Sequence, residues 1–97
     1  MRINFTGQNL VVTPALRAVV RKKAQHIFNH FDKNIIKVDV VLKVEKLRNI
    51  IEMRVYTGKE LYASAEDETM YKAIDQMIAK MERQIGKIKE KNSNHRE

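Results

Sequence analysis

The chain has 97 residues, no cysteine, and 19 lysines and arginines against 12 aspartates and glutamates, for a formal charge of +7. That length supports one two-layer core and no second domain, and the lack of cysteine excludes disulfides, thiol catalysis and thiolate metal sites. A hydrophobic share of 43% is ordinary for a globular chain, so the surplus positive charge belongs on a folded surface, where it suits a polyanionic partner.

The opening Met1-Arg2-Ile3-Asn4-Phe5-Thr6 lacks the apolar run of a secretory signal, and no stretch approaches the ~20 apolar residues of a membrane span. The expected location is therefore cytoplasmic, with no membrane partner. Ile3 and Phe5 alternate with polar residues up to Gly7, which predicts a short strand ended by the glycine. Thr13-Pro14 reads as an N-cap followed by proline at the first helical position. The helix that follows carries Leu16, Val19, Val20, Ala24, Ile27, Phe28 and Phe31 at three- and four-residue steps, and Asp32-Lys33-Asn34 is the expected stop.

Ile36, Val38, Val40, Leu42 and Val44 then alternate with mostly polar residues, followed by Ile51, Met53 and Val55 and by Leu61, Ala63 and Ala65. Keeping all apolar residues on one side predicts two hairpins. The first pairs Val44 with Ile51 around a Leu47-Arg48 turn. The second pairs Thr57 with Leu61 around Gly58-Lys59-Glu60, which sets Tyr56 opposite Tyr62 on the outer face. That outer face also exposes Ile35, Val41 and Ile50. Asp67 is the expected cap of a last helix from Met70 to Lys91, with Glu68 in its first turn and the polar residues 92–97 as a flexible tail.

The order is β-α-β-β-β-α. Each strand has a single apolar face, so both helices must cover that same face, and the first crossover is long enough to be right-handed and parallel. The expected fold class is α+β: two layers, a four-stranded sheet in order 1-2-3-4, and two helices packed side by side on one face. Its α-β-β-β-α portion resembles the core of a double-stranded RNA-binding domain.

Charge is sorted by element. The first helix holds Arg17, Arg21, Lys22 and Lys23 with no acid between Thr13 and Phe31. On the last helix, Met70, Ile74, Met77, Ile78, Met81, Ile85 and Ile88 make a stripe about 100° wide. Lys72, Lys80, Arg83 and Lys87 lie along one flank of it, and Asp75 and Glu82 along the other. The outer sheet face balances Lys37, Lys43 and Arg54 against Asp39, Glu45 and Glu52. A nucleic acid is therefore expected at the helical layer, not stacked on sheet aromatics. If the flank bearing Lys22, Lys23, His26 and His30 turns toward the basic flank of the last helix, the two form one continuous positive strip. Its contacts would go to phosphates and read little sequence.

Catalytic chemistry finds little support. His26 and His30 have the i, i+4 spacing that can grip a metal, but no third ligand accompanies them, so no metal site is expected. There is no glycine-rich phosphate loop, with only three glycines in all, and no Ser-His-Asp arrangement. The expectation is a protein without enzymatic activity, cofactor or small-molecule substrate.

Several runs carry a resemblance. Thr13-Pro14-Ala15-Leu16-Arg17, Val40 through Lys46, Ala63-Ser64-Ala65-Glu66, Met70 through Asp75, and Lys80-Met81-Glu82-Arg83-Gln84 with Lys87 resemble the short ribosome hibernation promoting factors of bacteria, the family that includes ribosome-associated inhibitor A. The match covers nearly the whole chain, and the last run is its most specific part. The resemblance implies the same β-α-β-β-β-α fold and a ribosome-binding domain spanning residues 1–91. It implies binding of the small ribosomal subunit through 16S rRNA in the mRNA and tRNA channel. Occupying that channel would stop translation in stationary or starved cells.

For the short class the resemblance also implies pairing of inactive ribosomes together with ribosome modulation factor. The short basic ending Lys89 to Glu97 fits that class, whereas ribosome-associated inhibitor A carries an acidic extension. The rRNA-binding residues expected here are Arg21, Lys22, Lys23, His26, Lys80, Arg83, Lys87 and Lys91. His26 stands where the family often has lysine. Off the ribosome the chain is expected to be monomeric. The rival readings are a general duplex-RNA module, whose usual lysine cluster is replaced here by Asp67-Glu68-Thr69, and a protein-docking outer sheet.

Overall fold

Six elements follow one another in the computed structural model: β1 (Ile3–Gln8), α1 (Pro14–Phe28), β2 (Lys37–Glu45), β3 (Arg48–Tyr56), β4 (Glu60–Asp67) and α2 (Met70–Asn94). The described residues are 2–29, 31 and 35–94, with the side chains of α2 as far as Ile88. The expected Asp32-Lys33-Asn34 stop, His30 and the side chain of Lys91 lie outside them. The sheet has the order β1-β2-β3-β4, with β1 parallel to β2 and both later pairings antiparallel. Element order, strand order and the single covered face are as the alternation predicts.

One core joins the layers. Val38, Val40 and Leu42 of β2, Ile51, Met53 and Val55 of β3, and Val20, Ala24, Ala73, Ile74, Met77 and Met81 of the helices are completely enclosed. Burying a side chain of this kind stabilises by roughly 1.5–3 kcal/mol, so the α2 stripe is the larger part of what holds the second layer down. Thr13 caps α1 as expected, its hydroxyl accepting from the Leu16 amide at 3.2 Å, with Pro14 next in the chain. α1 ends at Phe28 with Asn29 as its C-cap, so Phe31 reaches the core from beyond the helix.

The register departs from expectation in both hairpins, by two residues each. Val44 faces Asn49 and Leu42 faces Ile51, which leaves Lys46-Leu47 as the turn, with Lys46 at φ 56°. Tyr56 faces Glu60 and Arg54 faces Tyr62, which leaves Thr57-Gly58-Lys59 as the loop, with Gly58 at φ 92°. The tyrosines are therefore not a cross-strand pair. A slide of two residues returns every side chain to its own face, so the apolar pattern tolerates both registers and the turn backbone decides.

Three smaller differences each have a local cause. Gly7 does not end β1, which runs on to Gln8. A Cβ at Gly7 would run into the Leu10 carbonyl oxygen, so the glycine permits the chain to fold back against the strand it has just left. Asp67 belongs to β4, and the cap of α2 is Thr69, whose hydroxyl accepts from the Lys72 amide at 3.3 Å. Glu68 thus precedes the helix, and its carbonyl takes the Asn49 side chain at 2.8 Å. Ile35 packs against the core and Ile36 is the exposed one, because strand alternation starts only at Lys37.

Candidate nucleic-acid interface

The cations of α1 leave the helix in two directions. Arg17 and Arg21 lie over the Phe5 ring of β1, with guanidinium carbons 5.9 and 5.7 Å from its centroid. Their aliphatic stems and charge are partly occupied there, above the outer edge of the sheet. Lys22, Lys23 and His26 instead line an open groove of about 950 Å³ between the two helices, with Val19 from α1 and Ile78 and Glu82 from α2. Arg21 reaches the rim of the same groove.

The flank that α2 turns toward this groove is its acidic one. Lys23 pairs with Asp75 across the helices, Nζ to Oδ1 at 2.8 Å, and Glu82 sits further along the same wall. The basic flank of α2 faces away from α1. Lys80 reaches down over β4 and donates to the Ser64 carbonyl oxygen at 2.8 Å, and the Gln84 amide donates to the Tyr62 carbonyl oxygen. These two side chains occupy carbonyls of an edge strand that would otherwise be open to pairing.

Arg83 and Lys87 line a shallower depression with Ala79, Glu82 and Gly86. The single uninterrupted strip expected from the helix flanks is therefore two cationic rows, with Asp75 and Glu82 between them. Of the expected site residues, Lys22, Lys23 and His26 share the groove, and Arg83 and Lys87 form the second row. Lys80 is tied to β4. The role of Lys80 and the position of the acids were not seen from the sequence, because a helical wheel gives angles about one axis and not which flank meets the neighbouring helix.

Most of the charge on the open face of the sheet is internally paired. Lys43 meets Glu52 at 3.3 Å, Arg48 meets Glu66 at 3.3 Å, and Asp39 receives both Lys37 at 3.7 Å and the Asn4 amide at 3.0 Å. Arg54 binds Glu60, a hydrogen bond that pushes the guanidinium still further up from its ordinary value. Each tyrosine already has a cation over its ring, Arg54 on Tyr62 at 4.7 Å and Lys37 on Tyr56 at 4.8 Å. In the helical layer, by contrast, Lys22, Lys72, Arg83 and Lys87 have no carboxylate within ion-pair distance among the described residues. Among the described residues no cluster of three or more acidic or histidine side chains could hold a metal, and no helix is long and apolar enough to cross a membrane.

Known proteins match this chain nearly end to end. The ribosome hibernation promoting factor of Klebsiella oxytoca is 43% identical over 96 residues, 98% of this chain and 100% of that protein. The one from Pseudomonas putida is 45% identical over 92 residues, 94% of this chain and 89% of that protein. Among solved structures, the N-terminal domain of Thermus thermophilus Protein Y superposes with a TM-score of 0.83 at 29% identity, covering 91% of this chain and 99% of that one. A ribosomal subunit interface protein from Coxiella burnetii gives 0.79 at 31% identity, covering 92% and 98%. The family model described as Sigma 54 modulation protein / S30EA ribosomal protein matches residues 3–93, and it is to this family that the chain belongs.

Proposed function

We propose that this chain is a ribosome hibernation factor that binds the 16S rRNA of the small ribosomal subunit in the mRNA and tRNA channel and blocks translation by occupying it. One observation carries the reading: most ionic groups on the open sheet face are consumed in pairs with one another, whereas Lys22, Lys72, Arg83 and Lys87 on the helical layer have no carboxylate partner among the described residues. Such side chains contact phosphates, release counterions and set register on an RNA while reading little of its sequence. The names of the relatives support the hibernation role, and their alignment spans the domain that carries the helical layer.

The action is steric. It requires no catalytic group, cofactor or small-molecule substrate, and it takes place in the cytoplasm, where ribosomes work. We place the ribosome-binding domain at residues 1–91 and a tail at 92–97, with α2 running on to Asn94. The proposal includes a monomer off the ribosome and, on it, the pairing of inactive ribosomes together with ribosome modulation factor.

Co-sedimentation with purified small subunits tests the reading. The wild-type chain is expected in the subunit peak and Arg83→Glu/Lys87→Glu outside it at moderate salt. Equal co-sedimentation of the two refutes the assignment. A sucrose gradient of ribosomes with the protein added or withheld, with and without ribosome modulation factor, reads the pairing.

A further inference from the structure

Glu82 is an anomaly on a surface built for a polyanion. Its neighbour on the same wall, Asp75, is neutralised by Lys23 at 2.8 Å. Glu82 is exposed and has no cation within ion-pair distance among the described residues. It lines the interhelical groove with Lys22 and His26, and it lines the outer depression with Arg83 and Lys87, so it stands between the two cationic rows. A surface selected for affinity alone would gain from any uncharged residue there, since a carboxylate repels a phosphate brought close to it.

We propose that Glu82 is the specificity-determining residue of this interface, accepting a hydrogen bond from a donor edge of the bound RNA and excluding a phosphate chain from the groove. The inference rests on the reading of the helical layer as an rRNA surface. An ionised carboxylate only accepts hydrogen bonds. RNA offers it donors in base amino groups and in the ribose 2′-hydroxyl. A strand crossing the groove sets phosphates over Lys22 on one side and over Arg83 and Lys87 on the other, with a base or ribose above Glu82. A regular duplex lying along the groove sets its phosphates on Glu82 instead. The carboxylate thus favours irregular, folded RNA with exposed donor edges over plain duplex.

Three variants, Glu82→Ala, Glu82→Gln and Glu82→Lys, are titrated against purified small subunits and against a plain RNA duplex at one fixed salt concentration. All three keep the fold, checked by circular dichroism, because the side chain is exposed on a helix. Glu82→Ala is expected to lose about tenfold on subunits, the scale of one good hydrogen-bonded contact. Glu82→Gln, which keeps an acceptor oxygen, retains most of the affinity. Glu82→Lys loses on subunits and gains on duplex.

Subunit binding by Glu82→Ala and Glu82→Lys as tight as wild type, or tighter, overturns the proposal. So does a loss in Glu82→Gln as large as in Glu82→Ala, which would indicate a bridging cation. The Arg83→Glu/Lys87→Glu variant run alongside separates the two levels. If it binds like wild type, the rRNA reading itself fails. If it loses binding while Glu82→Ala does not, only the role of Glu82 falls.

Discussion

The ammonium of Lys80 on α2 donates a hydrogen bond to the backbone carbonyl oxygen of Ser64 at 2.8 Å, which fastens the helix to the outer edge of β4. Gln84, one turn further on, does the same for Tyr62. A lysine that reads from sequence as part of an RNA-binding row thus also closes a sheet edge. An exposed hydrogen bond of this kind contributes about 0.5–1.5 kcal/mol. Lys80→Met should lower the unfolding free energy by that amount, read as a lower urea midpoint at unchanged slope, whereas Arg83→Met and Lys87→Met leave the midpoint unchanged. Urea titration followed by circular dichroism decides this, and equal midpoints for all three would remove Lys80 from the fold. Binding losses in Lys80 variants need this correction before they are assigned to RNA.

Two glycines predict opposite responses to one methyl group. At Gly7 a Cβ meets the Leu10 carbonyl oxygen and lies 3.0 Å from a Val12 methyl, both in the chain that folds back on β1. Gly7→Ala should therefore destabilise by about 1–3 kcal/mol. At Gly86, inside α2, the added Cβ has nothing within 4 Å. Gly86→Ala should stabilise by about 0.5–1 kcal/mol through helix propensity and a less disordered unfolded chain. Thermal melts of the two variants must move in opposite directions from wild type. Gly86 also lines the depression with Arg83 and Lys87, so the Gly86→Ala variant is a suitable background for binding work if its subunit affinity is retained.

The start of α2 separates two candidate caps by measurement. Thr69 accepts from the Lys72 amide at 3.3 Å, and its carbonyl begins the helical ladder with Ala73 at 3.1 Å. Asp67 holds only a 3.5 Å contact from Gln76, at the limit of a hydrogen bond. Thr69→Ala should cost about 0.5–2 kcal/mol, the usual range for a lost N-cap. Asp67→Ala should cost clearly less. The reverse ranking in urea titrations would return the cap to Asp67.

Much of this architecture was legible from side-chain periodicity, and the reason lies in which quantities periodicity encodes. Alternation in Val38-Val40-Leu42 and Ile51-Met53-Val55 marks a single buried face per strand, and that alone forces two helices onto one side. It does not encode register, because Val44 opposite Ile51 and Val44 opposite Asn49 bury the same residues. The positive φ of Lys46, which no glycine or asparagine signals, chooses between them. The site follows the same division. The sorting of Lys80, Arg83 and Lys87 from Asp75 and Glu82 is a local angular pattern and could be read directly. That the acids face Lys22 and Lys23 is a property of how two helices sit on a shared sheet. The Lys23–Asp75 pair was hidden for that reason, as was the tie from Lys80 to Ser64.

The salt dependence of subunit binding gives the most direct count of the cations at work. Each neutralised phosphate adds about 0.7–0.9 to the magnitude of the slope of log K against log salt concentration. Lys22→Gln, Arg83→Gln and Lys87→Gln should each flatten that slope by about one such increment. Lys43→Gln and Arg54→Gln should leave it unchanged, since these side chains are committed to Glu52 and Glu60 on the opposite face of the domain. Lys23→Gln is the informative intermediate. Its ammonium is shared with Asp75, so its full contribution appears only if the phosphate displaces the carboxylate. A full increment lost in Lys23→Gln, and the wild-type slope kept in Asp75→Asn, would mean that the interhelical pair opens on binding. No change in Lys23→Gln would mean that the pair persists and that the second row, with Lys22, carries the RNA. Equal flattening by the sheet-face and helical-layer variants would show that binding is diffuse, and the two-row surface would then not be the interface.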